Sequence, residues 1–151
     1  MSHPLEGQLA PDFTLKDQDG VSFTLSELRG SEVLVVFVPW AFSPVCTYEI
    51  EQLRDAQDLE SQGAKVVVIN CDSMIVNQEW AYQNKFMGTL LSDFWPHGEV
   101  SKLYGVFNEE AGRARRGTFH ITAEGIVDWV LVNPMGDARD LDLYRQVLRV
   151  G

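Results

Sequence analysis

The segment running from Pro39 to Glu49, PWAFSPVCTYE, concentrates the residue types that could do chemistry. Ser43 is a good helix N-cap, and Pro44 then falls at the first helical position, where its missing N–H costs nothing. Cys46 therefore sits in the first helical turn. Free backbone N–H groups and the positive end of the helix dipole favour an anion at that place. Such a thiol is set up to act as a thiolate nucleophile. A lone cysteine is also commonly a small buried hydrophobe. The position nonetheless coincides with the end of a strand and the start of a helix, where α/β proteins place their sites.

The elements that must hold this segment can be read on either side of it. Val33 to Val38 is an unbroken apolar run, the pattern of a strand covered on both faces. Lys65 to Asn70 has the same character. Between them Ile50, Leu53, Ala56 and Leu59 recur at helical spacing, and Gly63 follows as a stop. Strand, helix, strand is a parallel crossover unit. Upstream, Phe13-Thr14-Leu15 and Val21 to Leu25 alternate around Asp19-Gly20, which predicts a β-hairpin. Residues 26–30 read as a short turn. Downstream, residues 74–86 predict a second helix, Leu90-Leu91 a short strand and Val100 to Tyr104 a short helix. Thr118 to Ile121 and Ile126 to Val132 predict two strands joined at 123–125. Residues 139–149 predict a closing helix that carries Leu141, Tyr144, Val147 and Leu148. Strands interleaved with helices, without linkers or repeats, imply one α/β domain over residues 1–151.

Composition narrows the classes of function. With 22 acidic against 12 basic residues the net charge is -10, so a phosphate backbone is repelled and nucleic acid is not an expected partner. No apolar run approaches the ~20 residues of a membrane span. The first residues show no basic start followed by an apolar stretch, so the expected compartment is the cytoplasm. The two cysteines, Cys46 and Cys71, are too few for a disulfide scaffold. His3, His97 and His120 show no metal-ligand spacing, and no metal or other cofactor is expected. Trp40, Phe42, Phe94 and Trp95 could form an apolar collar around a site, or could be ordinary core aromatics.

Pro39-x-x-x-Ser43-x-x-Cys46 resembles the active-site motif of the peroxiredoxins, in which threonine or, less commonly, serine precedes the cysteine. Ala10-Pro11-Asp12-Phe13-Thr14-Leu15, Ser92-Asp93, Tyr104-Gly105-Val106 and Arg116-Gly117-Thr118-Phe119 are also similar to that family, in the expected order. The run from Leu90 to Gly98 and Phe107-Asn108-Glu109 resemble its one-cysteine alkyl hydroperoxide reductase E subfamily. The resemblance implies a thioredoxin-like α/β fold, a mixed central sheet flanked by helices, with an N-terminal β-hairpin extension.

It also implies roles. Cys46 would attack the peroxide and become a sulfenic acid. Arg116 would stabilise the thiolate and the charge on the leaving oxygen. Ser43 would cap the helix and hydrogen-bond the thiolate or the peroxide, while Pro39 would shape the pocket. Glu49 would orient arginines, with Arg139 a second such arginine, whereas Arg113 and Arg115 read as solvated surface residues. The implied partners are a hydroperoxide, an external thiol reductant (thioredoxin, a glutaredoxin-like protein or a small thiol) and a second copy of the chain, in a homodimer or a ring of dimers.

Cys71 ends the strand 65–70, which places it on the same sheet edge as Cys46, but not where the resolving cysteines of the familiar subtypes lie. The base expectation is thus a one-cysteine cycle, with a Cys46–Cys71 disulfide as the alternative. Other classes of function fit part of the pattern. A thiol–disulfide oxidoreductase also places cysteine at this helix start, but it needs a Cys-x-x-Cys pair and Ser43 holds the first position. A redox sensor or a chaperone would keep the same fold.

Overall fold

A computed structural model describes residues 3–150; the first two residues and the last of the expected 1–151 domain lie outside the described part. The central element is a seven-stranded sheet. Its strands are β1 (Thr14–Asp17), β2 (Ser22–Thr24), β3 (Val33–Phe37), β4 (Lys65–Asn70), β5 (Thr89–Ser92), β8 (Arg116–Ile121) and β9 (Val127–Asn133), in the order β2-β1-β5-β4-β3-β8-β9. A separate two-stranded hairpin consists of β6 (Phe107–Asn108) and β7 (Arg113–Ala114). The helices are α1 (Pro44–Asp55), α2 (Met74–Gln83), α3 (Glu99–Leu103) and α4 (Leu141–Leu148).

β3, β4 and β5 run parallel, with Val33 opposite Lys65 and Val67 opposite Thr89. β8 pairs antiparallel with β3, and β9 with β8. The hairpin β1–β2 pairs with β5 and so extends the same sheet at its far edge. Its turn is held by Asp17, whose Oδ1 accepts the N–H groups of Asp19 and Val21. This is the thioredoxin-like mixed sheet expected from the sequence.

The sheet separates two apolar cores, and the side-chain alternation of each strand assigns residues between them. Val33, Val35, Phe37, Val67 and Ile69 face one core with Phe13, Tyr104 and Phe119. Leu34, Val36, Val38 and Val68 face the other, against Ile50 of α1, Trp80 of α2 and Tyr144 and Leu148 of α4. Burying each such aliphatic side chain contributes roughly 1.5–3 kcal/mol. The unbroken apolar runs in β3 and β4 follow from this: both faces of each strand are covered.

Several boundaries differ from the sequence reading, three of them at helix ends set by identifiable contacts or backbone turns. The first helix ends at Asp55 rather than running on to Leu59. Ala56 adopts ψ 61°, and residues 57–60 form a separate 3-10 turn that still buries Leu59. The second helix ends at Gln83, because the Asn84 side chain turns back to donate to the Trp80 carbonyl and Lys85 enters the left-handed region. The last helix begins at Leu141, capped by Asp140, since Arg139 is drawn inward to a buried carboxylate. The β6–β7 hairpin was not foreseen.

Candidate active site

The parallel strands deliver the chain to the start of α1. After β3, residues 39–43 form a short loop, and Ser43 caps α1 by accepting the Cys46 N–H at 3.4 Å. Pro44 occupies the first helical turn, as its fixed φ and missing donor predict. The loop is pinned from the side by Asp72, whose Oδ2 accepts the Ala41 N–H at 2.8 Å. Phe42 holds φ 68°, a left-handed conformation that a non-glycine residue adopts at a cost of order 1 kcal/mol or more. Its ring lies against that of Trp80. Trp80 in turn donates its indole N–H to Thr47 Oγ1 at 3.1 Å, tying α2 to the first turn of α1.

One turn beyond Cys46, Glu49 is buried and receives two donors on each oxygen. Oε1 accepts from Arg116 Nη1 at 2.5 Å and Arg139 Nη2 at 2.8 Å. Oε2 accepts from Arg139 Nε at 2.8 Å and the Arg139 backbone N–H at 2.9 Å. All its acceptor sites are used, which is what a buried carboxylate requires. Burial opposes its ionisation. Hydrogen bonding and charge from Arg139, with the charge of Arg116, outweigh that and hold the carboxyl below its usual range.

Both guanidiniums are buried as well and carry further bonds. Arg116 Nε donates to the Met135 carbonyl at 2.6 Å, and Arg139 Nη1 donates to the Gly117 carbonyl and to Thr118 Oγ1. Burial disfavours the Arg139 cation, but the fields of Tyr144, Glu49 and Cys46 raise its proton affinity above the ordinary value. Two cations against one carboxylate leave a net positive charge behind the first turn of α1. In a region of low effective dielectric that excess favours a nearby anion. Gly117, beside Arg116, is required by packing: a Cβ there would stand 2.7 Å from Val106 Cγ1.

Cys46 is fully buried. A shallow pocket of about 210 Å³ opens beside it, lined by Pro39, Trp40, Ser43, Val45, Arg113 and Arg116, among others. The structure therefore gathers Pro39, Ser43, Cys46, Glu49, Arg116 and Arg139 around one helix start. Of the four collar aromatics only Trp40 lines the pocket. Phe42 packs on Trp80, and Phe94 packs edge-on to His97, which in turn meets Phe107. Arg115 is exposed as expected, but Arg113 is not merely solvated: its guanidinium carbon lies 3.4 Å from the centre of the Trp40 ring.

Cys71 follows β4 on the same sheet edge as Cys46 but on the opposite face. It packs in the core with Phe13 and Tyr104, and Cys46 in the core with Ile50 and Trp80, so the sheet lies between them. Both thiols are free, and Cys71 Sγ lies 3.7 Å from Ser101 Oγ. Burial pushes the Cys71 thiol up to about 11. Among the described residues no cluster of metal-ligating side chains is present, and no helix is long and apolar enough to cross a membrane.

The fold and this constellation define a thioredoxin-like protein built around one cysteine at a helix start. Residues 7–130 match the AhpC/TSA family. Over 144 residues the chain is 44% identical to the alkyl hydroperoxide reductase E of Mycobacterium tuberculosis, covering 94% of both proteins. It is 31% identical to the alkyl hydroperoxide reductase C of Amphibacillus xylanus, over 82% of this chain and 67% of that one. Among crystal structures, peroxidoxin BcpB of Mycobacterium tuberculosis superposes with a TM-score of 0.86 at 30% identity over 97% of each chain. The reduced 2-Cys peroxiredoxin of Plasmodium vivax gives 0.86 at 26% identity, over 97% of this chain and 81% of that one. The chain belongs to the AhpC/TSA family of peroxiredoxins and is a thiol-dependent peroxidase.

Proposed function

We propose that residues 1–151 form one peroxiredoxin domain that reduces hydrogen peroxide and organic hydroperoxides through Cys46, by a one-cysteine cycle and without metal or organic cofactor. The observation that carries this reading is the Glu49 clamp. It fixes two guanidiniums on the helix face of Cys46 and leaves an unbalanced positive charge there. A thiolate at Cys46 makes that buried group of charges neutral. Its sulfur attacks the distal peroxide oxygen; the S–O bond forms as the O–O bond breaks, and the sulfur is oxidised by two electrons. The leaving alkoxide or hydroxide departs with the bonding pair and takes up a proton, giving an alcohol or water.

Arg116 stabilises the charge that builds on the leaving oxygen. Ser43, whose oxygen accepts from Cys46 N–H, turns its own O–H toward the thiolate or the peroxide, and Pro39 walls the pocket. Glu49 and Arg139 act as positioning residues for Arg116. The sulfenic acid then condenses with one external thiol, releasing water. A second thiol displaces Cys46 and leaves the reductant as a disulfide. Thioredoxin, a glutaredoxin-like protein or a small thiol can fill that role. Cys71 takes no part, since the sheet separates it from Cys46 and its thiol stays protonated at neutral pH. We place the protein in the cytoplasm as a homodimer or a ring of dimers, with no nucleic-acid or membrane partner.

Steady-state peroxide consumption with a thiol reductant tests this reading. Cys46→Ser is expected to fall to background and Arg116→Ala to lose roughly a hundredfold or more. Cys71→Ser is expected to keep wild-type turnover. A Cys46–Cys71 disulfide in the oxidised wild type, seen by mass spectrometry, would replace the one-cysteine cycle.

A further inference from the structure

We propose that Arg113, seated on Trp40, is a specificity-determining residue that recognises a carboxylate on a small molecule entering the pocket beside Cys46. The inference rests on the peroxidase reading of that site.

Arg113 stands in β7 of the small hairpin outside the main sheet, at the pocket wall. At 3.4 Å from the centre of the Trp40 ring, its planar guanidinium must lie nearly flat on the indole. That contact uses the face of the group and leaves its edge, where all five N–H donors point. Arg139 spends its donors on Glu49, the Gly117 carbonyl and Thr118 Oγ1, and Arg116 gives its Nε to the Met135 carbonyl and its Nη1 to Glu49. Arg113 has no side-chain ion pair among the described residues, and its Nε is buried without a hydrogen-bond partner. A buried N–H without an acceptor costs about 1–3 kcal/mol, so an anionic acceptor has something to gain there.

The pocket supplies the rest of the complementarity. Arg113 and Arg116 line it with Pro39, Trp40, Val45 and Met135, and among the described residues no acidic side chain is in the lining. It thus offers apolar walls and two cations, a fit for a short apolar body that ends in a carboxylate, which an arginine edge can hold by two parallel bonds. The net charge of -10 repels an anion at long range, but salt screens that field beyond roughly 8–10 Å, whereas the contact at the pocket survives. Two kinds of molecule visit this pocket and could carry the carboxylate: the hydroperoxide that oxidises Cys46 and the thiol that reduces its sulfenic acid.

The test has two arms. Rate constants for Cys46 oxidation are measured with hydroperoxyhexanoate and with its methyl ester. Rate constants for reduction of the sulfenic acid are measured with mercaptopropionate and with its methyl ester. Wild type, Arg113→Gln, Arg113→Lys and Trp40→Leu are compared by their acid-to-ester ratios. Arg113→Gln is expected to lower the ratio about tenfold in one arm. Trp40→Leu should lower it in the same direction and Arg113→Lys less than either, and the wild-type ratio should fall as salt is added. A drop in the first arm puts the carboxylate on the oxidant, and a drop in the second puts it on the reductant. Ratios unchanged in both arms overturn the proposal, including the case in which acid and ester rates fall together because the pocket is merely deformed. Wild-type protein that failed to consume hydrogen peroxide would remove the peroxidase reading, whereas consumption with unchanged ratios removes this inference alone.

Discussion

At the scale of single residues, Glu49 is the side chain on which the site's geometry depends most. Glu49→Gln keeps its shape but turns one acceptor oxygen into an NH₂ that faces guanidinium donors, and leaves two buried cations without a counter-charge. Breaking a buried pair in this way costs about 3 kcal/mol or more. We expect a lower unfolding midpoint in urea together with a loss of peroxidase rate of roughly a hundredfold, as misplaced charge produces. A rate close to wild type would mean that Arg116 needs no such support. Cys71 gives a prediction in pH. Its thiol is raised from an ordinary 9.0 to about 11, so the folded state holds this proton more firmly than the unfolded chain does. The associated stability is fully present below pH 9 and is lost as pH rises from there through about 11. Urea midpoints measured across that window should fall less steeply in Cys71→Ala than in wild type; identical slopes would contradict the assignment. Residue types were legible where local chemistry announces them, as for Ser43, Pro44 and Cys46. Arg113 was not, because nothing in an Arg-Ala-Arg-Arg run tells which side chain will find an aromatic face, and Trp40 lies far away in sequence.

At the scale of elements, the strands read well because both faces of β3 and β4 are apolar, and that pattern survives in one dimension. Helix ends read less well, since they are decided by tertiary partners. The end of α2 is set by the Asn84 side chain, and the start of α4 by the pull of Glu49 on Arg139. β6 and β7 escaped notice because two residues each are too short to show any period. One buried polar contact joins two elements behind the active-site loop: Asn70 at the end of β4 and Asn77 in α2 exchange reciprocal amide hydrogen bonds of 2.8 and 2.9 Å. Asn70 Oδ1 also accepts the N–H of Asp72, the residue that pins Ala41. Asn77→Ala strands the buried Asn70 amide, which costs about 1–3 kcal/mol. The expected result is a lower urea midpoint and faster amide exchange over residues 70–77, with no change for a midpoint that did not depend on this pair.

At the scale of the whole molecule, the two cores and the continuous sheet explain why the strong signals in the sequence all point one way: the parallel strands, the helix start and the arginine strand β8 converge on one pocket. The same view leaves Trp95 and Phe94 at least half-exposed and Trp40 and Phe42 nearly so, on a chain that is otherwise strongly acidic. Exposed aromatic side chains are enriched at contact sites. We expect sedimentation equilibrium at micromolar concentration to give at least twice the mass of one chain. The mass of a single chain would contradict the proposed homodimer.

The central claim is that Cys46 is a peroxide-reactive nucleophile. The most direct measurement mixes reduced protein with hydrogen peroxide in a stopped-flow instrument and follows the fluorescence of its four tryptophans, for wild type and Cys46→Ser, with the sulfenic acid trapped and located by mass spectrometry. The account predicts a second-order oxidation far faster than that of a free thiol, absent from Cys46→Ser, with the trapped oxygen on Cys46. Oxidation no faster than a free thiol's, or unchanged in Cys46→Ser, would contradict it.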